Sequence, residues 1–247
     1  MKARLQVMKF GGTSVGDAAC IARTAQIITN AARECGCITV VSAMSGVTNR
    51  LIEAARKAQA GNADEAAVIV DALRRQHETA LMILVPQEEK RAQIRRRMEE
   101  VFAEGRRLCE GTALLRELTP RTLDAISSLG ERLSAPLVAA AVRELGLPSE
   151  AIEAAELIVT DAFHGGAEPQ MELTRAKSQE RLQPLLEKGI APVVTGFIGA
   201  TVEGQLTTLG RGGSDYSATI LGAAMGADEV IIWTDVDGVL TADPRLV

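Results

Sequence analysis

Aromatic side chains are scarce: one Trp, one Tyr and four Phe among 247 residues. That leaves no material for the stacking platforms that bind single-stranded nucleic acid. Basic charge is not in excess either, because 27 Lys and Arg face 32 Asp and Glu for a net charge of -5. A phosphate backbone therefore finds no whole-chain footprint. The one basic run, KRAQIRRRMEE at 90–100, is interleaved and followed by Ile94, Met98, Val101, Phe102 and Leu108 at helical spacing. It reads as the solvated face of an amphipathic helix.

Cysteine and histidine are few and scattered. Cys35 and Cys37 form a C-x-C, not the C-x-x-C of a zinc or redox site, and Cys20 and Cys109 supply no second pair. His77 and His164 stand apart from any ligand-like cluster. Four free thiols in a reducing cytosol, and no metal site, are the expectation. No apolar run reaches 18 residues, and the start MKARLQVMKFGGTS lacks the apolar segment of a signal peptide. These absences point to a soluble cytoplasmic protein with neither nucleic acid nor membrane as partner.

What is present has a rhythm. Apolar runs at LQVMKF (5–10), CITVVSA (37–43), IAPVVTGF (190–197), GQLTTLG (204–210) and DEVIIWT (228–234) read as strands. Helical patterns fall between them: one that Asp17 caps, running to about residue 33, then 47–60, 174–188 and 214–226. Strand alternating with helix predicts a three-layer α/β/α sandwich around a mostly parallel sheet. Residues 62–146 break the rhythm, being helical throughout. They read as a helical insertion packed on one end of the sheet, within one domain.

Open α/β sheets gather ligands at the carboxyl ends of their strands, and polar or glycine-rich signals follow the strands here. In KFGGTSVG (9–16) the lysine precedes the glycines, so this is no Walker A loop. Lys9 and the amides of Gly11 and Gly12 suit a phosphate, though a plain tight turn is an equal reading. In VVSAMSGVTN (40–49), Ser42, Ser45 and Thr48 either bind a polar substrate or cap the next helix. SLGERLSA (128–135) offers Glu131 to an ammonium group, or else as a surface carboxylate beside an arginine. TLGRGGSDYSA (208–218) is the most informative loop. Arg211 suits a carboxylate or phosphate, Gly212 and Gly213 open backbone amides, and Ser214 or Asp215 would cap the following helix.

The last signal, TDVDGVLTADPR, has the look of a haloacid-dehalogenase nucleophile loop. It fails on position, because that loop opens its domain and only ten residues follow Asp237. In order, KFGGTSVG, VVSAMSGVTN, SLGERLSA, LGRGGSDYSA and WTDVDGVLTADPR closely resemble aspartate kinase, of the amino-acid kinase fold. The likeness runs from residue 7 to the end of the chain.

The resemblance implies transfer of the ATP γ-phosphoryl group to the β-carboxylate of L-aspartate, giving 4-phospho-L-aspartate for lysine, threonine and methionine synthesis. It implies that Lys9 and the Gly11 and Gly12 amides stabilise the phosphoryl group, with Asp215 positioning Lys9. Ser42, Thr48, Gly212 and Gly213 would lie beside the aspartate, Glu131 on its ammonium and Arg211 on its α-carboxylate. Ser214, Thr234, Asp235, Leu240 and Arg245 would line the nucleotide, Leu240 standing where many relatives carry a tyrosine. Magnesium would be held mainly by the ATP phosphates, and the protein would be a homo-oligomer. The family normally continues into further kinase segments and regulatory ACT domains. A C-terminally truncated catalytic domain spanning 1–247, with no ACT domain, is therefore expected, the alternative being a non-catalytic substrate-binding or regulatory fragment.

Overall fold

The computed structural model describes residues 4–234. The run LQVMKF forms β1 (Leu5–Phe10), with parallel neighbours β2 (Gly36–Val41) on one side and β7 (Glu229–Trp233) on the other. Outside β2 lie β4 (Ala191–Thr195) and then β3 (Ser149–Ile152), so the order is β3-β4-β2-β1-β7. Every pairing in this sheet is parallel, and helices cover both faces. That is why β1 and β2 read as continuous apolar runs and not as alternation.

The side chains still alternate. Met8 and Phe10 join Ile21, Ala25 and Ile28 of α1 (Ala18–Glu34) and Leu137 and Val138 of α6 (Leu129–Glu144). Leu5 and Val7 join Leu182 and Leu185 of α7 (Met171–Glu187) and Ala218 and Leu221 of α8 (Gly213–Met225). The result is the predicted α/β/α sandwich. Asp17 caps α1 as expected, its carboxylate accepting from the Cys20 amide at 2.7 Å.

After α2 (Val47–Gln59), the stretch 62–146 is helical: α3 (Ala63–Leu84), α4 (Glu88–Leu115), α5 (Pro120–Ser127) and α6. In α4 the buried set Ile94, Met98, Val101 and Phe102 matches the spacing read from the sequence. Arg91 and Arg95 on its polar side pair with Glu88 and Glu78. One correction concerns α6. It lies on the sheet against β3 and β4, and forms one of the sandwich's own layers beside α1. The preceding α3, α4 and α5 pack mainly on other helices.

A second correction concerns GQLTTLG. Only Leu206–Thr208 is strand (β6), and it pairs antiparallel with β5 (Ile198–Ala200) in a separate hairpin. The chain leaves the sheet after β4, where Phe197 adopts a left-handed φ of 69°. β3 and β5, at four and three residues, are too short for periodicity to reveal. Edge strand β3 is protected: Arg143 donates to the Ser149 carbonyl at 2.8 Å and Arg97 to the Ala151 carbonyl at 3.3 Å.

Among the described residues no helix is long and apolar enough to cross a membrane. All four cysteines are free, and burial pushes the Cys37 thiol up to about 12 and the Cys109 thiol to about 11. At neutral pH these two behave as small apolar side chains.

His77 is fully buried between α3 and α4, its Nδ1 donating to the Leu73 carbonyl at 2.8 Å and its ring edge-on to Phe102. Burial lowers its pKa to about 4. The unfolded chain takes up this proton near pH 6.5 and the folded chain does not, so stability falls as pH drops from 6.5 to 4. His77→Leu should remove up to about 1.4 kcal/mol per pH unit of that fall. Urea unfolding of both proteins at pH 7, 6 and 5 measures it, and parallel stability-versus-pH lines would refute the assignment.

Candidate active site

The motifs converge on a cleft of about 730 Å³ at the carboxyl ends of β1, β2 and β4, lined by Gly12, Ser42, Thr48, Glu131, Arg211, Gly212, Gly213 and Ser214, among others. Lys9 is the penultimate residue of β1. The sheet buries its stem, and its Nζ meets Asp215 Oδ1 at 2.6 Å in the first turn of α8. Gly11 lies directly beside it: a Cβ there would stand 3.3 Å from Nζ. An ammonium, a glycine turn and a helix start thus share one corner, suited to an anion.

Two helices point their N-termini into this cleft. Both α2 and α8 start behind a left-handed glycine, Gly46 (φ 75°) and Gly212 (φ 75°), and in neither does a side chain cap the first turn. The expectation that Ser42, Ser45 or Thr48 caps α2, or that Ser214 or Asp215 caps α8, is therefore corrected. Glycine at the N-cap frees those side chains. Ser42 Oγ donates to Ser214 Oγ at 2.8 Å, tying the two loops across the cleft, while Asp215 holds Lys9. The exposed positive ends of both helices add to the anion-attracting potential.

Opposite them stands Glu131 on α6. The surface-carboxylate alternative is excluded: Glu131 is 4% exposed, and Arg132 pairs instead with Glu104 and Glu153. Glu131 Oε1 accepts from the Ala43 amide at 3.1 Å, while Oε2 is buried without a partner. Burial pushes this carboxyl up to about 8. A half-satisfied buried acid on a cleft wall is suited to a cationic ligand group. Arg211 is exposed on the far side, at the loop between β6 and α8. Anion-binding and cation-binding groups thus face one space.

Thr234 lies at the end of β7, outside this cleft. It lines a smaller recess of about 260 Å³ with Phe10, Thr13, Cys20, Arg23 and Trp233, where Trp233 stacks on Phe10. Asp235, Leu240 and Arg245 lie outside the described residues. Among the described residues no group of three His, Cys, Asp or Glu side chains could hold a metal ion.

Several cleft residues carried no role in the sequence reading. Phe197 lines the wall in its left-handed conformation, and Gly213 packs so close that a Cβ there would meet the ring at 2.7 Å. Asp124 of α5 and Thr208 of β6 form another part of the wall. His164, expected to be isolated, is bound to Asp124 at 2.9 Å. Nothing in the local pattern marks a lone aspartate on a short helix as the partner of a histidine 40 residues away.

Known proteins resemble this chain over almost its whole length. Lysine-sensitive aspartokinase 3 of Escherichia coli K12 is 35% identical over 241 residues, covering 98% of this chain and 51% of that protein. Chloroplastic aspartokinase 1 of Arabidopsis thaliana is 37% identical over 97% of this chain and 42% of its own length. The crystal structure of E. coli aspartokinase III with aspartate and ADP, in the R-state, matches with a TM-score of 0.87 at 35% identity, over 99% of this chain and 52% of that one. Its T-state form with lysine and aspartate gives 0.86 at 34% identity. This chain thus spans about half the length of those relatives. The model of the amino acid kinase family matches residues 4–247, the fold and the whole cleft included, and the chain belongs to that family.

Proposed function

We propose that this chain is an aspartate kinase catalytic domain, transferring the γ-phosphoryl group of ATP to the β-carboxylate of L-aspartate. One observation carries the reading: the buried Glu131 and the exposed Arg211 line one cleft, and the Lys9–Asp215 pair adjoins it beside the lining residues Gly12 and Ser214. An amino acid with a second carboxylate matches that set. Its ammonium meets Glu131, its α-carboxylate meets Arg211, and its β-carboxylate is left toward Lys9 and the glycine turn. Ser42 and Thr48 line the space between.

The acceptor carboxylate is already ionised at neutral pH, so the attack needs no general base. Its oxygen forms the new bond to the γ-phosphorus as the bond to the ADP oxygen breaks. Lys9, with the amides of Gly11 and Gly12, stabilises the charge that spreads over the phosphoryl oxygens. Asp215 keeps the Lys9 ammonium at the cleft. Magnesium, held mainly by the ATP phosphates and not by side chains of this cleft, would supply charge neutralisation when bound. Ser214 lies by the phosphates and Thr234 on the nucleotide side. An aspartate kinase would have its place in the synthesis of lysine, threonine and methionine.

A second reading is a fragment that holds aspartate without turning over ATP. It rests on the span of about half the relatives' length. Hydroxylamine trapping of the acyl phosphate from ATP and aspartate decides between them: trapped hydroxamate supports the kinase, and its absence alongside measurable aspartate binding supports the fragment.

Three outcomes follow for the kinase. Lys9→Ala should lower turnover by about a hundredfold or more while leaving the circular dichroism unchanged. An unaltered rate would remove Lys9 from the chemistry. Arg211→Ala should weaken aspartate by about tenfold to a hundredfold and ATP little; equal losses in calorimetry would contradict its role. The third outcome concerns pH. Glu131, with its pKa raised to about 8, must release a proton to receive an ammonium. Aspartate affinity should then rise about tenfold per pH unit below 8 and level off above it. Glu131→Gln should flatten that profile. A flat profile in the unsubstituted protein would refute the coupling of aspartate binding to the Glu131 proton.

A further inference from the structure

Asp124 is 3% exposed, and its carboxylate is surrounded by donors. Oδ1 accepts from the Thr208 hydroxyl at 2.6 Å. Oδ2 accepts from His164 Nδ1 at 2.9 Å, the Gly165 amide at 3.0 Å and the Thr208 amide at 3.3 Å. Three segments distant in sequence meet at this one side chain: α5, the loop 161–168 and strand β6. With both oxygens engaged, Asp124 differs from Glu131, whose Oε2 has no partner.

The contacts continue toward Arg211. The Thr208 carbonyl accepts from the Ala167 amide at 2.9 Å, so Thr208 is held through its amide, hydroxyl and carbonyl together. The loop 161–168 is itself closed by Asp161, whose Oδ1 accepts from the amides of Phe163 and Glu168. Its Gly165 lies against Gly210, where a Cβ would come within 3.2 Å of the Gly165 carbonyl oxygen. Gly210 has φ 77° and directly precedes Arg211. Arg211 thus stands on a loop fixed below by Thr208 and at its side by Gly165, and both of those residues are bound to Asp124. Apolar packing could join the three segments without the solvation cost of a buried carboxylate. It would not set their register, because dispersion contacts lack the directionality of hydrogen bonds.

We infer that Asp124 is a positioning residue for the acceptor end of the cleft: through Thr208 and Gly165 it sets the loop that carries Arg211. This rests on the reading of Arg211 as the group that receives the acceptor's α-carboxylate. Asp124 touches no reacting atom in this scheme. It acts on aspartate recognition and leaves the nucleotide side alone.

The test compares Asp124→Asn, Thr208→Val and Thr208→Ser by hydrogen exchange of the 208–213 amides and by calorimetry with L-aspartate and with ATP. Asp124→Asn turns an amide NH2 against donors, and Thr208→Val removes the hydroxyl, so both should speed exchange across 208–213. Both should weaken aspartate by about tenfold and ATP by less than about twofold. Thr208→Ser keeps the hydroxyl and should restore both properties. Unchanged exchange at 208–213 in Asp124→Asn would overturn the inference, as would a loosened loop with unaltered aspartate affinity, or equal losses for aspartate and ATP. If the unsubstituted chain bound no aspartate, the kinase reading would fall, while the exchange data would still decide whether Asp124 holds the loop.

Discussion

In the five-stranded sheet every strand runs the same way, so the carboxyl ends of β1, β2 and β4 open on a single side. Helices that follow such strands begin on that side and bring their unsatisfied amides to it. Here α2, which follows β2, and α8, which the chain reaches through the β5–β6 hairpin after β4, both start behind left-handed glycines and carry no side-chain cap. The cleft is therefore lined by donors before any charged residue is considered. Lys9 adds a full positive charge at the same place, and Asp215 in the first turn of α8 keeps it there. Reversing one strand would carry its helix start to the far end of the sheet and dismantle the site.

Two buried acids in the wall show how environment divides roles. Asp124 has four donors within hydrogen-bond distance, so its carboxylate is a fixed joint between α5, the 161–168 loop and β6. Glu131 has one donor, the Ala43 amide, and an unpartnered oxygen, and burial holds its proton up to about 8. Desolvation without compensating hydrogen bonds makes a group responsive to a cationic ligand; saturation makes it structural. The same residue chemistry leaves one acid open to a ligand and makes the other a joint of the wall.

Much of this was legible beforehand. The four longer strands of the sheet follow from apolar runs, and α1 follows from Asp17 at its start. The buried face of α4 follows from the spacing of Ile94, Met98, Val101 and Phe102. Lys9, Gly11, Gly12, Arg211 and Asp215 stood out because each lies where a strand gives way to a helix. Shorter elements did not show, since β3 and β5 hold too few residues for a period to register. The caps were misread because Ser214 and Asp215 have the right chemistry at the right place, and only the left-handed Gly212 before them reveals that they are free for other partners.

The residue pattern by itself determined the sandwich, the direction of its central strands and the corner where Lys9 meets a glycine turn, because these depend on interactions local in sequence. Tertiary structure alone decided that α6 forms a layer of the sheet, that Glu131 is buried with one oxygen unpaired, and that His164 and Thr208 meet on Asp124. Whether a helix face is covered, and which distant donor reaches a carboxylate, depends on how elements pack. Packing is a property of pairs of surfaces, and no single stretch of chain contains it.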